Sequence, residues 1–412
     1  MPNIFTTLLS ISLGLMPALA VTVYHGCNIA AIPLLIVSLM YLIQSRSIKF
    51  NLNTKEKILI LSLVLLPIVI AFDVLLRDLR FKYLDYYLRF ILVIPIYFAL
   101  RQRKVSLKYF FVGILFGAIG AGLLAIYQTI FVNAHNVHGY IMKINFGNLS
   151  LLLGVMSLAG LFLLQGVRYK KPLIFICLIS FCFGLIASIL SGTRGGWVAL
   201  PFFISLFLVY FSISKINKLI SIIALAAVLM ISYLSNSYFK SRTDSAYNNA
   251  SAYLYSDGSK AVNSSEGARF ELWKAAWHIS TEHPIFGVGS GQFDDALKEK
   301  IDTGEIPQIQ VFGHTHSEPL QILVTTGIIG FLSYIFLYAG TAYYFYSSLA
   351  TSSTYKIKYL SVLGVTLVGG FFIFGLTNYS FGHQVMVLFF AVMVVSIAGM
   401  IKSIEAEEEN AE

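Results

Sequence analysis

GHTHSEPLQILVTTGIIGFLSYIFLYAGTAYYFYSSLA, residues 313–350, decides the fold class. A polar knot with two histidines, Gly313-His314-Thr315-His316-Ser317, runs straight into an apolar stretch that holds no Asp, Glu, Lys or Arg from Pro319 to Leu349. That stretch exceeds the roughly 20 residues a helix needs to cross a bilayer. Eleven further apolar stretches of spanning character occur, at about 4 to 24, 28 to 44, 57 to 73, 86 to 100, 109 to 132, 146 to 167, 172 to 190, 195 to 213, 217 to 235, 357 to 377 and 383 to 401. The chain therefore reads as an all-α polytopic integral membrane protein of about 12 transmembrane helices. Its 57% hydrophobic and 12% charged residues, with a mean hydropathy of +0.76, exclude a soluble globule.

The first run, Ile4 to Val23, has no basic flank before it and is long enough to span, so it is expected to be a first helix and not a cleaved leader. Residues 1–235 then carry helices one to nine, 236–318 form one long hydrophilic loop, 319–401 carry helices ten to twelve, and 402–412 are an acidic, solvated tail. Of the three cysteines, Cys177 and Cys182 share one apolar segment and Cys27 stands alone, so no disulfide framework or metal-binding CxxC is visible.

Orientation follows from the basic residues. Arg46, Lys49, Lys55 and Lys57, then Arg101, Arg103, Lys104 and Lys108, then Arg168, Lys170 and Lys171, then Lys215 and Lys218, then Lys356 and Lys358, and finally Lys402 fall in alternate short connections. The positive-inside preference puts these in the cytoplasm with both termini, and the long loop outside. Arg77, Arg80, Lys82, Arg89, Lys143 and Arg194 are the outer-side exceptions. Pairing with Asp73, Asp78 and Asp85 is one account of the group from Arg77 to Arg89; an anionic ligand is the other. Arg194 lies in Ser191-Gly192-Thr193-Arg194-Gly195-Gly196, between two apolar helices, where a cation needs a polar partner or an anion. Glycines that allow close backbone approach and a helix that starts there argue for an anion site.

Within the outer loop, residues 235 to 265 are rich in Ser, Asn and Tyr and are expected to be irregular. Ala268 to Ser280 is expected to be an amphipathic interfacial helix, with Trp273 and Trp277 one turn apart and Arg269 in its first turn. Arg269 then either anchors the helix by snorkelling or faces the same anion. His283-Pro284-Ile285-Phe286-Gly287-Val288-Gly289-Ser290-Gly291 lacks a preceding strand and the third glycine of a dinucleotide loop, so it reads as a turn-rich connector.

His314 and His316 admit three readings: a metal pair, interfacial packing, or a general base acting on a sugar hydroxyl. Further metal ligands are not evident nearby, and the chain has no DxD for a divalent ion against a diphosphate. The pattern His316-Ser317, nine residues, Gly327, two residues, Gly330 resembles the signature of the O-antigen ligase family. Thr193-Arg194 in LSGTRGGWVALP and Gly267-Ala268-Arg269 in EGARFELWKAAW fall in that family's order as well. The resemblance implies a membrane glycosyltransferase with an undecaprenyl diphosphate-linked glycan as donor and a lipid A-core hydroxyl as acceptor. It would work on the periplasmic face of the bacterial inner membrane. On that reading His316 is the base, Arg194 and Arg269 hold the diphosphate, and His314, Arg77 and Arg80 assist. Neither a metal, a cofactor nor a nucleic-acid partner is expected; the other partner is membrane lipid. An O-antigen polymerase shares this build, as does a protein oligosaccharyltransferase. A lipid-linked glycan transporter would need charges at mid-membrane, and the spans hold few.

Overall fold

The computed structural model describes residues 4–45, 51–166, 168–210, 265–306, 308–352 and 354–409, with isolated positions between 216 and 251. The expected ninth span and the irregular stretch 235–265 fall largely outside the described residues. Every regular element among those described is a helix, as the apolar patterning requires. The transmembrane part opens with α1 (Ile4–Leu19), α2 (Gly26–Ser45), α3 (Thr54–Leu76), α4 (Lys82–Leu92), α5 (Ile94–Arg101), α6 (Leu107–Ile130), α7 (Lys143–Ala159), α8 (Lys170–Leu190) and α9 (Leu200–Tyr210). Two helices follow outside the spans, α10 (Ser265–Glu282) and α11 (Phe293–Asp302). The chain ends in α12 (Glu318–Thr351), α13 (Tyr355–Thr377) and α14 (Gln384–Glu409). Nine segments among the described residues are long and apolar enough to cross a membrane, and two shorter apolar helices accompany them.

Local chemistry explains the departures from simple spans. The span expected at 86 to 100 is two helices, because Pro95 lacks the N–H that would carry α4 onward and instead starts α5. The α14 helix is buried from Met386 to Ile401 and serves as the axis of the bundle, packed by α2, α4, α5, α12 and α13. Around it helices approach through small residues. A side-chain carbon at Gly113 of α6 would lie 2.0 Å from the Gly14 carbonyl of α1, so only hydrogen fits that crossing.

The acidic tail departs from expectation. As far as Glu409 it continues α14. Glu405 pairs with Lys55 at 2.5 Å and Lys402 at 3.5 Å, and Glu407 with Lys104 at 2.8 Å. Buried Glu56 accepts from Tyr97 at 2.6 Å and pairs with Arg101 at 3.0 Å. Acids at this end thus neutralise the basic connections that the charge pattern groups together.

At the opposite end α10 and α11 form a small second core. Leu272, Ala275, Ala276 and Ile279 pack with Phe293, Leu297, Ile306, Ile309 and the α12 residue Val324. The helix expected at the interface therefore buries one face in protein, while Trp277 stays 60% exposed.

Candidate functional site

The site forms where the histidine loop enters α12. Four ties shape Gly313–Ser317. Trp273 Nε1 of α10 donates to the Thr315 carbonyl at 3.0 Å, and the Thr315 N–H donates to Gln321 Oε1 at 2.8 Å. Thr315 Oγ1 donates to the Ser317 carbonyl at 2.7 Å, and the His316 N–H donates to His314 Nδ1 at 3.2 Å. The last bond fixes the His314 proton on Nε2 when that ring is neutral. His316 itself adopts φ +55°, a left-handed conformation that costs a non-glycine residue about 1–2 kcal/mol. The ties hold it there, as strained residues at functional sites generally require.

The two imidazoles stand edge to face with centroids 4.3 Å apart, Phe312 edges His316 at 5.1 Å, and Tyr379 lies 5.6 Å from His314. His316 Nδ1 is buried and has no hydrogen-bond partner among the described residues. Burial, the neighbouring His314 and the Arg269 cation lower His316 from the ordinary histidine value to about 4. Burial, then His383 and Arg269, lower His314 as well, and burial lowers His383. Both rings of the pair are therefore neutral at pH 7, and Arg269 is near enough to act on each.

Arg194 reaches the same end by a different route. Its turn packs on α7 and on the end of α13: a side-chain carbon at Gly195 would meet Thr377 Oγ1 at 2.6 Å, and one at Gly196 would meet Asn148 Oδ1 at 2.6 Å. From Thr377 the chain passes to Asn378, whose amide donates to Asn145 at 3.2 Å, and on to Tyr379 against His314. The α13–α14 turn thus touches both the Arg194 turn and His314. Glu318 braces the turn from below, its Oε2 accepting the Phe381 N–H at 2.7 Å.

The two other sequence candidates sit apart. Arg77 pairs with Asp73 at 3.0 Å and donates to the carbonyls of Phe286 and Gly287 at 3.3 and 2.9 Å. Arg89 pairs with Asp85 at 2.8 Å, so carboxylate pairing accounts for both. Arg80 is exposed and makes no hydrogen bond or ion pair through its side chain among the described residues. What Arg77 holds is the connector 283–291, whose glycines 287, 289 and 291 all have positive φ. The connector docks where α12 is broken at Gly327 (φ +64°, ψ −162°). Val288 N–H and Gly289 N–H donate to the carbonyls of Val324 and Thr325 at 2.9 and 2.8 Å, and Ile328 N–H donates to Pro284 O at 2.8 Å. Within a membrane helix a break survives only when such partners satisfy the freed backbone groups.

Sequence reasoning missed Trp273 as the holder of Thr315, along with Tyr379, His383, Glu318, Asn145 and Asn148. A signal existed for the last three, since acids and carboxamides inside or bordering apolar runs are costly enough to demand a reason. Away from the site, exposed His278, Glu282 and Glu305 bring ligand atoms within 4.8 Å of one another. Lys300 already pairs with both carboxylates, at 2.8 and 2.7 Å.

Residues 179–335 match the family model described as O-antigen ligase. The match supports the O-antigen ligase family for this chain. That segment takes in Arg194, Arg269, both histidines, Gly327 and Gly330, and leaves out Arg77 and Arg80. An uncharacterized protein of Haemophilus influenzae is 25% identical over 401 residues, covering 95% of this chain and 98% of its own length. The family match supports an O-antigen ligase/polymerase-type activity, that is, a membrane enzyme acting on lipid-linked glycans.

Proposed function

We propose that this chain is an O-antigen ligase, a metal-independent, inverting transferase. It moves a glycan from undecaprenyl diphosphate to a sugar hydroxyl of lipid A-core at the periplasmic face of the bacterial inner membrane, with both termini in the cytoplasm. The observation that carries the reading is His316: a buried ring nitrogen without a partner among the described residues, in a strained backbone, with a guanidinium bearing on it. An orphaned buried nitrogen of this kind calls for a reason, and an awaited substrate proton supplies one.

In the proposed step the acceptor oxygen attacks the anomeric carbon as the bond from that carbon to the diphosphate oxygen breaks. His316 takes the hydroxyl proton. Arg194 and Arg269 hold the diphosphate, bidentately and with permanent charge, and stabilise the negative charge that grows on it. Before the donor arrives His316 is a weak base, with its value lowered to about 4. The dianionic donor offsets Arg269 and so raises that value. Base strength is thereby coupled to donor occupancy. His314 orients His316 through its backbone N–H, and Arg77 serves by holding the glycine connector.

The test is a purified, reconstituted assay with undecaprenyl diphosphate-linked glycan and lipid A-core. His316→Ala is expected to abolish transfer while the protein remains inserted and folded; substantial residual turnover refutes the base assignment. Dependence on magnesium, removed by a chelator, refutes the metal-free step. In a strain lacking the gene, a ligase defect leaves full-length polymer on the lipid carrier. Cores bearing a single repeat would instead identify a polymerase, and substrate trapped on the cytoplasmic side a transporter.

A further inference from the structure

We propose that the cavity beside the histidine loop is the subsite for the acceptor saccharide, with Tyr83, Tyr86 and Tyr87 of α4 as its aromatic wall. The proposal rests on the transferase reading above and adds to it the place where the acceptor sugar binds and its direction of entry. The cavity measures about 260 Å³, just under the roughly 300 Å³ at which small-molecule pockets begin, so it has room for a sugar ring and not for a polymer.

Its lining fits a saccharide better than a hydrocarbon. Residues spaced i, i+3 and i+4 share one helix face, so the three α4 tyrosines present rings and hydroxyls together. Tyr379 closes the wall, its hydroxyl 3.4 Å from that of Tyr87. A pyranose has apolar C–H faces and a hydroxyl edge, and tyrosine answers both. No carboxylate lines the cavity among the described residues, and its charged member is Lys82, exposed at the rim. The Tyr83 ring beds on Gly291: a side-chain carbon there would lie 2.1 Å from Cζ, and the backbone there has φ +76°.

Position identifies the acceptor. Tyr379 faces the cavity and also lies 5.6 Å from His314. Gln321 lines the cavity and takes the Thr315 N–H with Oε1, and its Nε2 makes no hydrogen bond among the described residues, leaving a donor for a ring hydroxyl. The Arg194 turn packs on Thr377, two residues before Tyr379 at the start of the same α13–α14 turn. In-line displacement requires the attacking oxygen to approach opposite the leaving diphosphate. With the diphosphate held between Arg194 and Arg269, the hydroxyl enters from the tyrosine cavity, which meets the histidine loop at Gly313 and Tyr379.

The experiment uses the full-length reconstituted protein with undecaprenyl diphosphate-linked glycan and lipid A-core purified from a host lacking the gene. Tyr83→Ala and Tyr86→Ala are expected to raise the acceptor KM about tenfold, equivalent to about 1.4 kcal/mol, with the donor KM unchanged; Tyr86→Phe keeps the ring and gives a smaller rise. Ile70→Phe, which fills the cavity without touching a histidine or arginine, acts in the same direction. A wild-type measurement covers variants that fail to fold: core oligosaccharide freed of lipid is expected to protect Tyr83 and Tyr86 from nitration by tetranitromethane, read by mass spectrometry. No transfer by the wild-type enzyme refutes the ligase reading itself. Normal wild-type transfer with unchanged acceptor KM in the alanine variants, a rise in donor KM instead, or absence of protection overturns the subsite alone.

Discussion

Gly327→Ala addresses the joint on which the site is built. At φ +64° a side chain costs about 1–2 kcal/mol for the left-handed backbone alone. The added carbon would also sit 2.2 Å from the Ile285 carbonyl oxygen and 2.5 Å from Phe286 N, both backbone atoms that cannot swing aside. The conflict is relieved if the connector withdraws, breaking three backbone bonds, Val288 to Val324, Gly289 to Thr325 and Ile328 to Pro284, each worth about 1 kcal/mol net. Straightening of α12 recovers part of this by returning Ile328 N–H to Val324. The net loss is therefore roughly 3 kcal/mol, and either route expels the connector. Gly287→Ala meets the same contact from the other side, 2.4 Å from the Thr325 carbonyl carbon. The two substitutions break one joint, so the double variant is expected to cost little more than the worse single one.

Thermal unfolding in detergent and limited proteolysis within 283–291 read this out. Each single variant is expected to lower the midpoint by several degrees and open the connector to cleavage. Because Ser290 and Gly291 line the tyrosine cavity, acceptor KM is expected to rise with it. Strictly additive effects, or an unchanged midpoint and cleavage pattern in Gly327→Ala, refute the view that helix break and connector are one element.

The remaining predictions concern the histidines and their supports. With His316 near 4 in the free enzyme, kcat/KM is expected to hold from pH 7 down to about 5 and fall below that, while the acid limb of kcat lies higher because the bound diphosphate raises the imidazole. A kcat/KM limb at 6.5 or above contradicts this. The same lowering makes the unfolded state bind the proton more readily between about 4 and the ordinary 6.5, so this histidine's stability contribution is complete above 6.5 and is lost as pH falls toward 4. A melting temperature flat across that window in wild type, or equally sloped in His316→Ala, speaks against it. Trp273→Phe keeps an aromatic ring but removes the indole N–H and its 3.0 Å bond to Thr315; kcat is expected to drop about fivefold, the rate equivalent of one net hydrogen bond, without loss of fold. Arg269→Gln is expected to lower kcat roughly 100-fold and move the His316 limb upward, whereas Arg77→Gln loosens the connector and leaves donor KM unchanged.

The transmembrane layout was legible because a span writes itself locally in composition. Eleven of the twelve expected stretches correspond to helices among the described residues, with breaks at Pro95 and Gly327 and 3-10 turns at Gly160–Gly166 and Gly195–Ala199. What was not legible depends on residues far apart in the chain. Glu405 looked solvated because its partner Lys55 is 350 positions away. Arg77 was expected to assist Arg269 at the same anion, yet Arg77 is held by Asp73 and two carbonyls while Arg269 bears on both imidazoles.

The histidine-to-glycine spacing shows the limit from the other direction. His316 and Gly327 could be paired by pattern without any reason for the interval. In the fold the reason is mechanical: about two and a half turns of α12 separate the loop bearing the base from the break that receives the glycine connector. One end of that short helix is tied to α10 through Trp273 and to the α13–α14 turn through Glu318; the other is tied to α3 through the connector, Arg77 and Asp73. An insertion of one residue between Ser317 and Gly327 would rotate the two ends by about 100° relative to each other. Either the histidine or the connector would then leave its place, so the interval is fixed by helix geometry rather than by contact between the two residues.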